Sequence, residues 1–414
     1  MISYYFQVVI LALIQGISEF IPVSSSAHLV LISSLTQFDY KSIEIDISLH
    51  LGSLIAILTY FWRDLINILE NKKIGIVSNS SSIIRSGNKQ VHLLDTLLKL
   101  KQKIKAVFAP EHGFLSNQEN GALIENDFDF KRNVDIYSLY GKNKKPSPNQ
   151  LKDIDIMLFD LQDVGARFYT YLSTLYFIIE ACAENKIPLI ILDRPNPNGH
   201  YIDGPILEKK FLSFVGILEI PIVHAMTFGE IAKMINGENL VNSKCEIKVI
   251  KMKNYNHKLE YNLPLPPSPN LPNKTSINLY PSLCLFEQTP VSIGRGTNLQ
   301  FQIFGNPKFK SNFSFIPEPN LGSRNPKHRG DVCFGKDLRM TERLSRIEIK
   351  WLIEAYNNYP EKDKFFSAGF SLLAGTESLE QQIKNNWSEK EIRKSWKSGL
   401  KKFKKLRKRY LIYP

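Results

Sequence analysis

Three short apolar runs in this sequence end in groups that can do acid/base chemistry. IKAVFAPEHG closes on Glu111 and His112, IDIMLFDLQD on Asp160 and Asp163, and IPLIILDRPNPNG on Asp193 and Arg194. A carboxyl group tuned by its surroundings gives or takes a proton near neutral pH, and two of them flanking a glycosidic bond suffice to cleave it. There is no G-x-S-x-G elbow for a serine nucleophile and no His/Cys cluster at metal-binding spacing. The residue types therefore favour glycoside hydrolysis or a related acid/base reaction, with no metal and no cofactor expected. Tyr137, Tyr140, Phe168, Tyr169 and Tyr171 fall near the same run ends and could stack on a sugar ring. For any single strand-end Asp the alternative is a helix N-cap or a loop hydrogen bond.

A second set of polar residues lies near the start. Met1–Trp62 holds one basic residue, Lys41, and four acidic ones, Glu19, Asp39, Glu44 and Asp46. Within this apolar stretch, IPVSSS interrupts any simple helix, and Gln15, Glu19, Ser24, Ser25, Ser26 and His28 gather around the break. The later run IDISLHLGSLIAILTYFW approaches the length of a bilayer span. An ionisable residue inside a membrane segment is a functional candidate by default; the alternative is a carboxylate reaching to the interface. A signal peptide fits poorly, because no basic n-region or small-residue cleavage site is evident.

The elements that position the strand-end groups follow from the pattern after residue 72. KKIGIVSN, IKAVFAPEHG, IDIMLFDLQD and IPLIILDRP are continuous apolar runs separated by helical stretches such as TYLSTLYFIIEACAEN. That alternation predicts a parallel sheet covered on both faces, with a ligand crevice outside the carboxyl ends of its strands. Glu111, Asp160, Asp163 and Asp193 are then expected to converge on one cleft. The first strand is followed by no phosphate-binding glycine loop, so a nucleotide is not expected. Thr227 and Glu230 form a capping box before a helix. LPLPPSPNLPN places five prolines in eleven residues, either a linker or a rigid wall of the cleft. Beyond it, short strands and turns predict a second, mixed domain. The expected organisation is an α/β protein: an α-helical membrane segment over 1–70, a Rossmann-like parallel-sheet domain over 71–241, and a smaller mixed α+β domain over 242–414 that completes the cleft.

The 414 residues are 43% hydrophobic and 22% charged, which excludes a disordered chain and a wholly membrane-embedded one. The net charge of +13 is unevenly spread, and ten Lys or Arg with no acid occupy residues 393–409. Ser388 and Glu391 cap that segment, and Trp396, Leu400, Phe403 and Leu406 make one apolar stripe opposite a basic face. The face is either solvated or in contact with anionic membrane or wall polymer. No nucleic-acid partner is expected. The four cysteines, at 182, 245, 284 and 333, form no CxxC and are expected as free or buried thiols.

Longer strings add two resemblances. QGISEFIPVSSSAHL and ISLHLGSLIAILTYFWRDL resemble the first half of the undecaprenyl-diphosphatase family of membrane phosphatases. The resemblance places Gln15 and Glu19 at the family's paired acidic-type positions, and Ser25 and His28 at its catalytic Ser and His. It covers about 68 residues, and the second-half PG-x-SRS string with its Arg is not found. These four residues are therefore expected to be vestigial.

FAPEHGF, YSLYG, FDLQDVGARFYTY, LDRPNPNG, HAMTFGEIA, PPSPN, LYPSLCLFEQTPVSIGRGT and RKRYLIYP, in that order, resemble the NamZ-type exo-β-N-acetylmuramidase family from about residue 73 to 414. This resemblance implies a Rossmann-like domain joined to a smaller one, and removal of β-linked N-acetylmuramic acid from the ends of peptidoglycan fragments. It makes Glu111 of the PEHG string the catalytic glutamate, with His112 and Asp163 as further catalytic candidates. Asp163 and Arg167, and likewise Asp193, Arg194 and Asn196, are candidates to orient Glu111 or bind the sugar, with Tyr169 as a stacking partner. Arg295 is the candidate for the lactyl carboxylate, because a guanidinium suits two-point carboxylate recognition. The resulting expectation is a membrane-anchored hydrolase whose partners are peptidoglycan fragments and membrane lipid, with the hydrolase on the periplasmic or outer side of the membrane. The alternatives are an undecaprenyl-diphosphate phosphatase or a muramyl-sugar-binding protein without turnover.

Overall fold

KIGIVS becomes strand β1 (Lys73–Ser78) because β-branched residues on both faces find apolar cover, leaving five of its six residues buried. A computed structural model describes residues 69–414 except 87, 88, 117, 120 and 122–124. Gln15, Glu19, Ser25 and His28, with nearly all of the membrane segment expected over 1–70, lie outside the described residues. The chain divides into two compact units, Met1–Asn71 and Lys72–Pro414, and all the described strands belong to the second. Among the described residues no helix is long and apolar enough to cross a membrane.

After β1 the chain turns into an antiparallel hairpin, β2 (Ile83–Ser86) with β3 (Lys89–His92), and then into α1 (Leu93–Lys99) and β4 (Lys103–Ala109). There follow β5 (Asp127–Asp129), β6 (Val134–Ser138), α2 (Pro148–Leu151), β7 (Ile156–Asp160), α3 (Tyr171–Glu184) and β8 (Leu189–Leu192). Then come β9 (Asp203–Ile206), β10 (Pro221–Val223), α4 (Phe228–Gly237) and β11 (Ile247–Ile250). Seven of these strands make one sheet in the order β11-β8-β7-β1-β4-β6-β5, parallel throughout except that β5 runs against β6. Strand order grows outward from β1 through β4 and β6, then reverses to β7, β8 and β11. That reversal is the doubly wound, Rossmann-like order. The sheet continues past the boundary expected at 241, because β11 pairs with β8 at four consecutive positions.

In this topology a dinucleotide lies at the reversal, between the ends of β1 and β7. Here that crevice is closed by the protein itself. Arg194 Nη2 donates to Asp160 Oδ2 at 2.9 Å, Ser82 Oγ donates to the Asp160 carbonyl, and Asn79 Nδ2 donates to the Tyr171 hydroxyl.

The second half begins with α5 (Lys274–Leu283), capped by Asn273, which leads into a 3-10 turn over Cys284–Gln288. A three-stranded antiparallel sheet follows, β12-β14-β13, from β12 (Ile303–Asn306), β13 (Phe313–Phe315) and β14 (Cys333–Asp337). Four helices complete it: α6 (Lys350–Asn358), α7 (Phe370–Ala374), α8 (Ser378–Lys384) and α9 (Glu389–Lys408). The capping boxes read at Thr227/Glu230 and Ser388/Glu391 are both present. Trp396 and Phe403 bury the apolar side of α9, which packs on β9. One continuous apolar core takes in Phe108 and Phe159 of the parallel sheet and Phe286, Phe370 and Trp396 of the second half. The chain end returns to the first half. The Ile412 and Tyr413 amides donate to Glu230 Oε1, and the Tyr413 hydroxyl donates to Asp193 Oδ2 at 2.8 Å. All four cysteines are free and buried.

Candidate active site

Beyond β4 the backbone enters the left-handed region twice in succession, at His112 (φ 71°) and Gly113 (φ 74°). A non-glycine residue there is uncommon and is the kind of local strain found at functional turns. Glu111 stands just before this turn and lines a cleft of about 450 Å³. Its carboxylate is held by neutral donors. Thr170 Oγ1 donates to Oε2 at 2.6 Å, the Gly121 amide donates to Oε1 at 3.2 Å, and the Tyr140 phenol faces the same group. Burial and the charge of Glu111 push the Tyr140 phenol up, so it stays a donor. His112 Nδ1 lies 2.8 Å from the Gln118 carbonyl, which can only accept. Its proton therefore sits on Nδ1 and leaves Nε2 as an acceptor. Burial holds this imidazole below its usual range, against the raising influence of Glu111.

A second carboxylate lines the cleft, Glu287 of the 3-10 turn after α5. Arg295 Nε and Nη2 both approach Glu287 Oε1 at 2.6 Å, and the guanidinium lies over the Phe301 ring, 5.1 Å from its centroid. Arg295 owes its direction to its neighbours. Gly294 and Gly296 have φ of 77° and 80°, and a Cβ on either would meet a backbone oxygen at 2.7 or 2.6 Å. Lys327 Nζ caps the turn by donating to the carbonyls of Phe286, Glu287 and Thr289. The proline-rich stretch is a wall of the cleft: Ser268, Asn270 and Leu271 line it, and Pro267 accepts from the Tyr169 hydroxyl at 2.9 Å. Phe168, Tyr169, Phe214, Tyr280 and Phe301 supply aromatic surface. Two buried polar atoms of lining residues lack partners, Arg295 Nη1, a donor, and Asn270 Oδ1, an acceptor. Among the described residues no cluster of His, Cys, Asp or Glu is arranged to hold a metal.

Of the described residues singled out from the sequence as site candidates, Glu111, His112, Tyr140, Phe168, Tyr169 and Arg295 line this cleft, while Tyr137, Asp160, Asp163, Arg167, Tyr171, Asp193, Arg194 and Asn196 do not. The expected convergence of four carboxylates is corrected accordingly. Asp160 is spent on Arg194, which in turn makes its contacts at the β1/β7 reversal. Asp193 accepts from Thr227 Oγ1, the Gly229 amide and Tyr413, tying α4 and the chain end to β8; burial raises it to about 6. Asn196 is buried and bonds Met226 and Asn198. Arg167 is fully buried and donates to four backbone carbonyls. Glu287, Asn270 and Thr170 were not singled out, although each stands in a string that carries the family resemblance.

Asp163 is buried outside the cleft, 3.6 Å from His224 Nε2. Burial pushes it up to about 7, with the Val164 and Gly165 amides offsetting part of the effect, and burial pushes His224 down to about 3. At neutral pH His224 is therefore neutral and Asp163 only partly ionised. A carboxyl raised in the fold binds a proton there that the unfolded chain has already released. Asp163 thus contributes a stability that falls as pH rises from the ordinary Asp range to about 7, while the lowered His224 contributes the opposite slope from about pH 3 up to the ordinary His range. Asp163→Asn removes the carboxyl titration. The melting temperature of the variant relative to the parent should climb between about pH 4 and pH 7 and then stay flat, while turnover is unchanged. A difference that shrinks with pH, or a large loss of kcat, would return Asp163 to the site.

A parallel-sheet domain with two carboxylates, neutral proton-sharing donors and aromatic walls in one strand-end cleft defines a carbohydrate-cleaving class of enzyme. The comparisons agree. Family models described as exo-beta-N-acetylmuramidase NamZ, N-terminal and C-terminal, match residues 74–275 and 278–413. The peptidoglycan beta-N-acetylmuramidase NamZ of Bacillus subtilis is 38% identical over 367 residues, covering 83% of this chain and 88% of the relative. The chain belongs to the NamZ exo-β-N-acetylmuramidase family, a family of glycoside hydrolases. Two crystal structures of DUF1343 family proteins from Bacteroides fragilis share the fold. One is 45% identical with a TM-score of 0.77, covering 85% of this chain and 96% of its own. The other is 26% identical with a TM-score of 0.75, covering 86% and 98%. A third family model, bacitracin resistance protein BacA, matches residues 8–94. There the chain is 49% identical over 74 residues to the undecaprenyl-diphosphatase of Pelagibacter ubique, and spans only 29% of that protein's length.

Proposed function

We propose that the protein is an exo-β-N-acetylmuramidase that releases terminal β-linked N-acetylmuramic acid from peptidoglycan fragments. The observation that carries this reading is the pairing of Glu111, held by neutral donors, with Glu287, held against a guanidinium, in one aromatic-walled cleft. Glu111 is the proton donor to the glycosidic oxygen. Glu287 supplies negative charge opposite the oxocarbenium-like transition state. Thr170 and Tyr140 position Glu111, and His112 offers Nε2 as an acceptor to the sugar. Arg295, which lines the cleft, recognises the lactyl carboxylate, and Asn270 lies beside the acetamido group. Residues 72–414 form the hydrolase, a Rossmann-like part and a smaller part completing the cleft.

The BacA-like segment associates the chain with membrane lipid and holds the hydrolase on the periplasmic or outer side, where peptidoglycan lies. Phosphatase activity is not part of the proposal, because the segment corresponds to less than a third of the phosphatase relatives and brings no counterpart of their second-half Arg.

The test is a pair of chromogenic substrates offered to residues 72–414, a β-N-acetylmuramide and the matching N-acetylglucosaminide. The two differ by the lactyl group, so one charge-assisted contact predicts roughly 10- to 100-fold higher kcat/KM for the muramide. Binding of muramyl sugars without any release would overturn the assignment in favour of a binding protein.

A further inference from the structure

The muramidase reading leaves one feature of the molecule unused. On α9, Lys390, Lys394, Lys397, Lys401, Lys404 and Lys408 recur at intervals of four, three, four, three and four residues. That spacing puts all six on one face of the helix, a straight row about 27 Å long at 1.5 Å per residue. All six side chains are exposed. The opposite face is already occupied, because Ile392, Trp396 and Phe403 are buried against the protein. The cations of this helix that pair with carboxylates are Arg393, with Glu389 and Asp203, and beyond its end Arg409, with Glu238. Among the described residues none of the six lysines has a carboxylate within ion-pair distance, and residues 392–414 contain no acid. Neighbouring like charges four residues apart oppose helix formation, and ordinary solvated faces relieve this by alternating signs. This face does not. An anionic surface of matching extent relieves its self-repulsion more fully than mobile counterions do.

We infer that the lysine row of α9 docks the hydrolase onto the anionic headgroups of a lipid bilayer. A bilayer is favoured over a wall polymer because a segment similar to a membrane phosphatase runs directly into Lys72 and brings the domain to lipid. The docking is electrostatic and shallow, since the apolar side of α9 faces inward and nothing is left to insert. It does not rest on the muramidase reading. A flat charged surface engages the whole row at once, and beyond a Debye length of about 8 Å at physiological salt it is not felt.

The experiment uses residues 72–414, which form a compact unit alone and correspond to nearly the whole of the solved B. fragilis relatives. Sedimentation with vesicles of phosphatidylglycerol and phosphatidylcholine is compared with pure phosphatidylcholine, so that no BacA-like segment contributes. The protein should bind only the anionic vesicles and be released by about 0.5 M NaCl. Replacing Lys394, Lys397, Lys401 and Lys404 together by Gln should weaken binding by roughly ten-fold or more without lowering the melting temperature. The same four positions changed to Arg should retain it. Equal binding to both vesicle types, undiminished binding by the Gln variant, or preference for soluble polyglutamate over vesicles at equal charge would each overturn the inference. The last result would make the partner an anionic polymer.

Discussion

Glu111→Gln is expected to lower kcat on a β-N-acetylmuramide by roughly 10³-fold, with the melting temperature unchanged within a few degrees. The amide has the shape of the carboxyl and keeps an oxygen for one of the two donors, the Thr170 hydroxyl or the Gly121 amide. It cannot deliver a proton to a departing glycosidic oxygen. KM should move much less than kcat, because the group acts in the transition state and the sugar is held by the walls of the cleft. Measuring both parameters, with a thermal melt as control, separates the proposed role from simple binding. Glu287→Gln is the companion. It also strips Arg295 of its counter-charge, so it should reduce both kcat and stability. Near-normal turnover by the Glu111 variant would move the acid role to Glu287. Asp163 is no substitute, since it lies buried outside the cleft beside His224.

Why Glu111 could be found in the sequence, and Glu287 could not, has a physical explanation. Glu111 follows seven strand residues, the last four of them buried, and the C-terminal end of a parallel strand is where ligands bind in such sheets. An apolar run therefore points at it. Glu287 sits in a 3-10 turn that continues a helix, where no periodicity marks a functional side chain. Gly294 and Gly296, which flank Arg295, form no functional fingerprint in the sequence. That they aim Arg295 at Glu287 depends on backbone approaches from Leu299 and Glu318, and these exist only once the chain is folded. The proline stretch illustrates the same limit. Fixed φ angles predict rigidity, but a linker and a cleft wall are equally rigid.

Asp163, Arg167, Asp193 and Asn196 show the converse. A charged or amide side chain after an apolar strand reads as functional whether it meets a ligand or the protein's own backbone. Here the protein consumes them: Asp193 caps α4 and holds Tyr413, and Asn196 bridges to Met226. The overall architecture was more legible than the site. Continuous apolar runs specify a covered parallel sheet, and the capping boxes at Thr227 and Ser388 mark helix starts by local hydrogen bonding alone. Strands β5, β6 and β11 of the main sheet escaped, as did the β2–β3 and β9–β10 pairs, each strand being only three to five residues long.

Arg167 gives the sharpest contrast between the two kinds of role. Its Nη1 donates to the carbonyls of Pro205 and Ile220, at 3.0 and 2.9 Å, and its Nη2 to those of Leu373 and Ala374, both at 2.8 Å. Leu373 and Ala374 end α7, so the guanidinium caps the negative end of that helix while holding it to β9 and the segment before β10. Gly375, at φ 79°, is where the chain leaves α7, and a Cβ there would meet Arg167 Nη2 at 2.6 Å. Burial pushes the guanidinium down to about 9, which still leaves it charged at neutral pH, neutralised by carbonyl dipoles rather than by an acid. Arg167→Met would fill much of the space but take a donor from each of four buried carbonyls, of which Ile220 keeps the Leu207 amide. The expected loss is about 3–5 kcal/mol, tempered by the desolvation cost of the parent cation and read as a fall in melting temperature of roughly 10 °C. Arg167→Lys keeps the charge and loses the planar fork, so it should fall between the two. Below the new melting temperature, KM for the muramide should stay within about two-fold of the parent, because Arg167 does not line the cleft. The opposite pattern, an unchanged melting temperature with a large rise in KM, would place Arg167 against the sugar after all.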